Sequence, residues 1–597
     1  MTFTAWTRAH HQVTRARLLF PLGMVLLSAC SDQGPTGPGS SSVCGGALAP
    51  LGMLESATLD CSNGGTTITL AGGGASYLVV PQFAAGGVPN QAVGYTIGVS
   101  AGSVVTASVQ RGGRSGAEPP GVPAPGSWAQ GRPTVTPGFR QRQFDGMLRA
   151  SARAGLARGR WRAPSSSRQS ISSSQALSLQ PPALGSLNDF HVLASLDTVT
   201  PPTKRVTARL DYIGQNLLVY VDTLAPPNGF TPDQLTGFGQ LFDQTLYPLD
   251  LGTFGSPSDI DQNARVIMLL SPVVNSLTPA SQCVSQGYIA GFFDGFDLVS
   301  TDTSSNQGEI FYGVVPDPGG TVSCAHSVNS LLADVPSVFL HELQHLISYS
   351  QHVLVHGGTP EEGWLDEGMS LVASELGSLY YEQKFPPPAG RADPNQLFPD
   401  SSEGFIGEQL TSSYAYLLAP DTVTLTLHSD ADFGLTWRGG DWLLLRWLGD
   451  QKGAGFYKQL EQTHLTGTAN IAAAAGEPFA PLFGDFSLAL YTDSLPGVPK
   501  SSIPPRDRFT TRTLRQLYQA YFNAAGPSAS VPRPFPIVPR VLTGTVSATL
   551  VPGTPTFYQV NTAGSAAQVQ IQFTAPGGSA LAGSLHPQVS VFRLPGP

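Results

Sequence analysis

One short run constrains the fold more than any other part of the chain, because it places three ionisable side chains inside an apolar stretch. The run reads Val338-Phe339-Leu340-His341-Glu342-Leu343-Gln344-His345-Leu346-Ile347. It predicts a largely buried helix at about 333–350. Side chains four apart lie on one face of a helix, so His341 and His345 can offer ring nitrogens to one ion. Glu342 can then reach a water at that ion without being a ligand. The competing interpretation places the two histidines at the surface or at the edge of the core.

The third ligand decides which type of metal site this is, since catalytic zinc needs three protein ligands and one open position. A three-histidine pattern requires a glycine at position 348 and a histidine at position 351, where the chain has Ser348 and Gln351. The alternative is a glutamate from a second helix, predicted at 364–380 after a turn rich in glycine and proline. Two antiparallel helices would bring Glu367 against the histidine pair.

Together these two segments resemble the glutamate-type zinc peptidases (gluzincins), in which W-L-x-E-G follows H-E-x-x-H; here it is Trp364-Leu365-Asp366-Glu367-Gly368. The longer context is similar to the hyicolysin-like peptidases over about residues 200–495. The resemblance implies a zincin-like catalytic domain that hydrolyses peptide bonds. It also implies Zn²⁺ ligation by His341, His345 and Glu367, with Glu342 as the base that activates a zinc-bound water.

The chain departs from part of that pattern. Some glutamate-type enzymes carry an aspartate four residues after the ligand glutamate to orient a histidine, and that position is Leu371 here. Asp366 or another group would have to take this role. A tetrahedral oxyanion usually needs a donor besides the metal. The candidate donors are Tyr349, Tyr414, Tyr416, His428 and His464.

Two further segments suggest binding roles. Asp259, Asp261 and Asn263 have a D-x-D-x-N spacing that could bind Ca²⁺. The segment lacks the later glycine and glutamate of a calcium loop, so a solvated turn is the competing interpretation. Residues 309–314 predict a strand shortly before the metal-binding helix. This strand could be the sheet edge that pairs with an extended substrate.

The N-terminus predicts export. Arg8, Arg15 and Arg17 precede an apolar stretch at 18–27 that is too short to span a bilayer as a mature helix. The stretch ends in a bacterial lipobox-like sequence, so residues 1–29 would be a signal peptide, Cys30 the lipidated first residue and 30–43 a tether. Ordinary cleavage near residue 29 is the alternative. We therefore expect an extracytoplasmic protein, either a lipoprotein of the cell envelope or a secreted one.

The four other cysteines predict two disulfides in an exported chain. Proximity in the sequence favours Cys44–Cys61 and Cys283–Cys324 among the three connectivities. A Cys/His zinc site is a weaker idea, because none of the four lies in a C-x-x-C pair.

Composition and periodicity divide the rest of the chain. With 67 Gly, 51 Pro and 12% charged residues, the chain favours short strands and turns. We expect an α+β fold in which a peptidase domain at 186–525, with a mixed sheet and a helical C-terminal lobe, is flanked by small β-sandwich-like domains at 44–110 and 526–597. Residues 111–185 are rich in Arg, Ser and Pro, which predicts a disordered linker or a pro-segment.

Together, these patterns predict a zinc endopeptidase that acts on extracytoplasmic proteins or peptides. A net charge of −9 gives no reason to expect a nucleic-acid partner, and a membrane contact is expected only through Cys30. The chief alternative is a catalytically inactive, peptidase-like binding or adhesion protein at the cell surface. A zinc hydrolase of a non-peptide bond is the second alternative.

Overall fold

The computed structural model describes residues 42–46, 48–86, 91–100, 139–159, 181–195, 202–299, 302–384, 403–426 and 435–596. The predicted signal peptide and Cys30 lie outside them. The strands are β1 (Ser42–Val43), β2 (Ser56–Asp60), β3 (Thr67–Ala71), β4 (Ser76–Phe83), β5 (Val93–Val99), β6 (Leu187–Leu193), β7 (Thr203–Ile213), β8 (Leu217–Asp222), β9 (Val266–Leu270), β10 (Gly291–Phe293), β11 (Ile310–Gly313), β12 (Arg540–Val541), β13 (Thr545–Leu550), β14 (Thr554–Pro555), β15 (Tyr558–Asn561), β16 (Gln568–Thr574) and β17 (Pro587–Leu594).

The helices complete an α+β fold. They are α1 (Phe139–Ala157), α2 (Pro232–Leu241), α3 (Tyr247–Thr253), α4 (Pro272–Ser276), α5 (Ala280–Gln286), α6 (Phe296–Val299), α7 (Val328–Tyr349), α8 (Gly363–Lys384), α9 (Glu403–Leu418), α10 (Leu435–Lys452), α11 (Phe456–Glu461), α12 (Gly467–Ala475), α13 (Phe479–Thr492) and α14 (Leu514–Ala525). Every described helix is too short or too polar to cross a lipid bilayer.

A mixed sheet with the order β10-β11-β9-β8-β7-β6 supports helix α7. Strand β9 is parallel to β8 and β11, and its five residues are buried, as expected of a strand covered on both faces. The prediction that residues 309–314 form the sheet edge is wrong. Strand β10 pairs with β11 from Gly291↔Gly313 to Phe293↔Phe311 and is itself the edge. A strand of three residues is too short to stand out as a period-2 pattern.

The helices around the site follow the predicted positions. Helix α7 begins at the cap Ser327, whose side chain accepts from Ser330 N (3.1 Å), and it packs on β10 and β11. Helix α8 packs on α7, α9 and α10. Helix α2 begins after Thr231, which forms a capping box with Gln234. The apolar faces of α7, α8 and α10 form one core with the sheet.

Strands from both ends of the chain form a single β-sandwich. One sheet has the order β1-β2-β17-β4-β15-β12, with β14 on β4, and the other has the order β13-β5-β16-β3. Each sheet mixes strands of the N-terminal and C-terminal segments, which share one core. The structure therefore differs from the expectation of two separate flanking domains. Pairing between strands so far apart in sequence leaves no local signature.

Both predicted disulfides are confirmed. Cys44–Cys61 lies within the sandwich, and Cys283–Cys324 joins α5 to the loop before α7. The second bond links two connections that lead into the site, so it restrains the sheet edge relative to α7.

Helix α1 lies in the segment for which composition predicts a disordered linker or a pro-segment. Its residues Phe144, Leu148 and Ala152 recur every four positions and are buried. They form a narrow apolar stripe on an arginine-rich helix. This stripe packs against residues of the mixed sheet and of α7. A composition average over residues 111–185 does not reveal it.

Candidate metal centre

Two histidines of α7 face each other with their ring nitrogens. His341 and His345 lie one turn apart, as the H-E-x-x-H spacing predicts, and their Nε2 atoms are 3.2 Å apart. Both side chains are buried, with exposed fractions of 8% and 1%. Two neutral imidazoles can present two lone pairs to one cation, which makes this pair suited to metal binding.

Glu367 of α8 lies where it could serve as a third ligand beside the two histidines. Its Oε2 lies 3.4 Å from His341 Nε2, and its Oε1 lies 3.7 Å from His345 Nε2. Tetrahedral bonds of about 2.0–2.1 Å place ligand atoms roughly 3.3 Å apart, so these separations fit one Zn²⁺ ion. Burial disfavours the charged form of His341, but Glu367 and Glu342 outweigh it, and the pKa of His341 is raised.

Asp366 holds the second histidine. Its Oδ2 lies 2.9 Å from His345 Nδ1, on the side of the ring away from the ligand nitrogen. Burial raises the pKa of this carboxyl group, but His345 and Arg149 lower it by more, so the net shift is downward. A carboxylate on Nδ1 selects the tautomer whose Nε2 carries the lone pair. This geometry suits the orienting role considered for Asp366.

A buried arginine anchors the ligand glutamate, and sequence reasoning missed it. Arg438 of α10 lies 2.5 Å from Glu367 Oε2 through one guanidinium nitrogen and 2.7 Å from Glu408 Oε1 through another. Burial would raise the pKa of Glu367, but Arg438 and the two histidines lower it by more. The pKa of Glu367 therefore lies well below its usual range. A single arginine that belongs to no motif gave no signal of this contact.

Glu342 lies beside the histidines in a position that suits a base. One carboxylate oxygen, Oε2, accepts a hydrogen bond from Phe293 N of the edge strand (3.0 Å). The other, Oε1, is buried and makes no hydrogen bond with the described residues. Ligand atoms of His341, Glu342 and His345 all lie within 4.8 Å of one another. The edge strand thus orients the carboxylate and leaves one oxygen for a proton.

A small cavity of about 60 Å³ lies beside this centre. Its lining comes from α1, α7, α8, α9 and α10: Gln141, Arg142, Asp145, Ser337, Val338, His341, Glu342, Leu371, Ser374, Glu408, Gln409 and Arg438. Three of these side chains belong to α1. That helix was not predicted to contribute to the site.

Two ionisable residues of α1, Arg149 and Asp145, lie close to the proposed base and ligands. Arg149 lies 3.4 Å from Glu342 Oε2 and 3.5 Å from Asp366 Oδ2. The ligand atoms of Asp145, His341 and Glu367 all lie within 4.8 Å of one another. Burial, followed by Glu342 and Glu367, raises the pKa of Asp145 well above its usual range.

The four candidate oxyanion donors that the structure describes are not part of the cavity lining. Tyr349 is buried, and its ring packs edge-on against Phe293 at 6.1 Å between centroids. The Tyr414 hydroxyl donates to Arg533 O (2.5 Å), beyond α9. Tyr416 is buried near Asp441, and His464 is exposed. His428 lies outside the described residues.

The candidate calcium segment has a different set of neighbours from the one predicted. Asp259 and Asp261 bring carboxylate oxygens within 4.8 Å of each other and of Glu309. Asn263 turns its amide nitrogen to Asp261 (2.6 Å), and its oxygen accepts from Arg265 N (2.6 Å). The third acidic group is therefore Glu309, which comes from the connection before β11.

Comparison with known proteins points to one relative. No family model matches this chain. Over 193 residues the chain is 28% identical to the neutral metalloprotease ShpI of Staphylococcus hyicus. The aligned stretch covers 32% of this chain and 40% of that protein, so the chain spans about two fifths of the length of the relative it matches.

Proposed function

We propose that this chain is a zinc-dependent peptidase of the glutamate type, related to the hyicolysin-like peptidases. The observation that carries the proposal is the convergence of His341, His345 and Glu367 on one point, with Glu342 beside them. The similarity to a neutral metalloprotease supports the same conclusion. An inactive binding protein would have no use for a base in this position.

Each side chain has a distinct part in the proposed hydrolysis. A bound Zn²⁺ would polarise the scissile carbonyl and acidify the attacking water. Glu342 accepts the proton of that water on Oε1 and passes it to the leaving amine. Phe293 N keeps the carboxylate in place through Oε2 (3.0 Å), while Asp366 and Arg438 hold His345 and Glu367.

Edge strand β10 supports cleavage within a polypeptide. Among the described strands, β10 pairs with β11 alone. An extended substrate can add to the other side through main-chain hydrogen bonds, which require no free terminus. Internal cleavage would release fluorescence from peptides blocked at both ends, whereas an exopeptidase would leave them intact.

An extracytoplasmic location is part of the proposal. Two disulfides suit an oxidising compartment, and the lipobox-like sequence at Cys30 suits an anchored lipoprotein. Fractionation of cells labelled with a palmitate analogue would test the anchor. Label in the wild type and none in Cys30→Ser supports it, and unlabelled secreted protein supports ordinary cleavage.

The decisive test pairs metal content with hydrolysis. Wild type, Glu342→Gln and His345→Ala are compared for bound zinc by mass spectrometry and for casein hydrolysis. We expect Glu342→Gln to retain zinc and lose activity by about a hundredfold or more. His345→Ala should lose both, and Glu382→Gln, a carboxylate of α8 paired with Arg512, should lose neither. Hydrolysis by Glu342→Gln at the same measurable rate as wild type would overturn the mechanism.

A further inference from the structure

Helix α1 places an arginine on the residue proposed as the base. The Arg149 guanidinium lies between Glu342 and Asp366, at 3.4 and 3.5 Å. The Arg149 and Glu342 side chains are 9% and 1% exposed, so solvent does not screen the pair. A substrate and its attacking water would need the space beside Glu342 that Arg149 fills.

One turn earlier, α1 turns a carboxylate toward the metal ligands. Asp145 is 1% exposed, and its Oδ1 accepts from Gln141 Nε2 (2.8 Å). Its Oδ2 is buried and makes no hydrogen bond with the described residues. A carboxylate oxygen of Asp145 lies within 4.8 Å of ligand atoms of His341 and Glu367. Added to the three proposed ligands, it would be a fourth protein ligand. A catalytic zinc site needs one position open, and this arrangement closes it.

Gln141 uses the main-chain groups of the sheet edge. Its Nε2 donates to Gly291 O (2.7 Å), and its Oε1 accepts from Ala290 N (2.8 Å). A side-chain amide has the same donor and acceptor as a peptide group. Gln141 therefore occupies hydrogen-bonding positions at β10 that an added substrate strand would use.

Apolar contacts hold the same helix in place. The Phe144 ring packs edge-on against Phe292 of β10, with 4.6 Å between centroids. Leu148 and Ala152 continue the buried stripe along α1. The remaining face carries the charged and amide groups that meet the centre, so the helix is complementary to the cleft in both polarity and charge.

We propose that α1 is an inhibitory segment, which fills the substrate cleft and must leave it before the centre can act. The proposal rests on the peptidase function proposed above. Three independent positions are blocked at once: the base by Arg149, the open metal position by Asp145 and the edge strand by Gln141. The alternative occupant of this cleft is a substrate, with which α1 competes.

Binding of a peptide hydroxamate tests this competition without any hydrolysis. The probe chelates zinc and extends along the cleft. Its affinity is measured by calorimetry for the zinc-loaded full chain and for Asp145→Asn, Arg149→Ser and Arg158→Ser. We expect about tenfold or tighter binding in the first two variants, since each loses a buried contact that holds α1. The exposed Arg158 follows α1, and its variant should bind as the wild type does.

Hydrogen exchange and N-terminal sequencing complete the test and separate the two proposals. Amides of residues 139–157 should exchange faster when the hydroxamate is bound, and the most active form should lack this helix or hold it displaced. Equal hydroxamate affinity in all four proteins, or full activity with α1 protected from exchange, would overturn the inhibitory role and leave the peptidase function standing. If zinc-loaded variants in which α1 is released cleave no peptide, the peptidase function is overturned instead.

Discussion

At the scale of single residues, the carboxylate behind His345 controls whether its Nε2 can serve as a ligand. Asp366→Asn keeps the size of the side chain but can donate to Nδ1, which places the ring proton on Nε2. We expect zinc affinity to fall by about 10- to 100-fold. Competition with a chromophoric chelator measures this fall.

The matched control is Asp441→Asn on α10. Burial raises the pKa of Asp441 well above its usual range, which favours the neutral carboxyl group, and an amide is nearly isosteric with that group. Zinc affinity should hardly change in this variant. Equal losses in Asp366→Asn and Asp441→Asn would show that Asp366 has no specific role in orienting His345.

Glu309 carries a second residue-scale prediction, which concerns pH. Burial raises its pKa to about 8 from the usual 4.5, so this group destabilises the fold progressively as pH rises from 4.5 to 8. Glu309→Gln can still accept from Ser258 and Ile260, and it removes the charge. At pH 5 the variant and the wild type should have about the same free energy of unfolding. At pH 9 the free energy of unfolding of the variant should be higher by a few kcal/mol, on the order expected for such a pKa shift.

Unfolding midpoints at both pH values, with and without millimolar Ca²⁺, measure the effect. Calcium binding by Asp259, Asp261 and Glu309 would raise the wild-type midpoint at pH 9 and leave Glu309→Gln unchanged. A constant difference between wild type and variant across pH would contradict the burial of a charged Glu309.

At the scale of elements, α9 and α10 touch through a glycine next to Arg438. A Cβ at Gly439 would overlap the backbone of Ser412 and Ser413, which cannot move as a flexible side chain can. Gly439→Ala should therefore destabilise the fold by about 1–3 kcal/mol and displace Arg438 from Glu367. Denaturant unfolding and zinc affinity should both report the change.

Gly407 of α9 provides the control, because a Cβ there meets nothing within 4 Å. Gly407→Ala should be neutral or stabilise the helix by up to about 1 kcal/mol. Similar destabilisation by both substitutions would show that the effect of Gly439→Ala does not come from the α9–α10 contact.

Local sequence patterns predicted the two helices that carry the site, α7 and α8, but only some of the residues that form it. The spacing of His341 and His345 is a property of one helix, so the sequence alone reveals it. Arg438 and Asp145 reach the centre from helices that other contacts position, and neither carries a motif. For α1, the recurrence of apolar residues at Phe144, Leu148 and Ala152 could have indicated a helix. The Arg-, Ser- and Pro-rich composition of the surrounding segment predicted a linker instead.

At the scale of the whole molecule, local sequence patterns reveal even less about the β-sandwich. Period-2 patterns predicted strands near both ends, and they correspond to β3 and β4 and to β13, β15 and β16. The partner of β4 is β17, which lies at the far end of the chain. Because pairing of this kind depends on the path of everything between the strands, the sequence read locally suggests two domains where there is one.

Deleting one end should therefore unfold the strands of the other. Removal of residues 540–597 takes away the β17 and β15 partners of β4 and the β13 and β16 partners of β5. We expect amides of residues 56–60, 67–71, 76–83 and 93–99 to lose protection from hydrogen exchange, because their ladder bonds are gone. Removal of residues 42–100 should expose 545–550 and 568–574 in the same way. Two independent domains would instead each keep full protection after the other is deleted, and that outcome would contradict the shared sandwich.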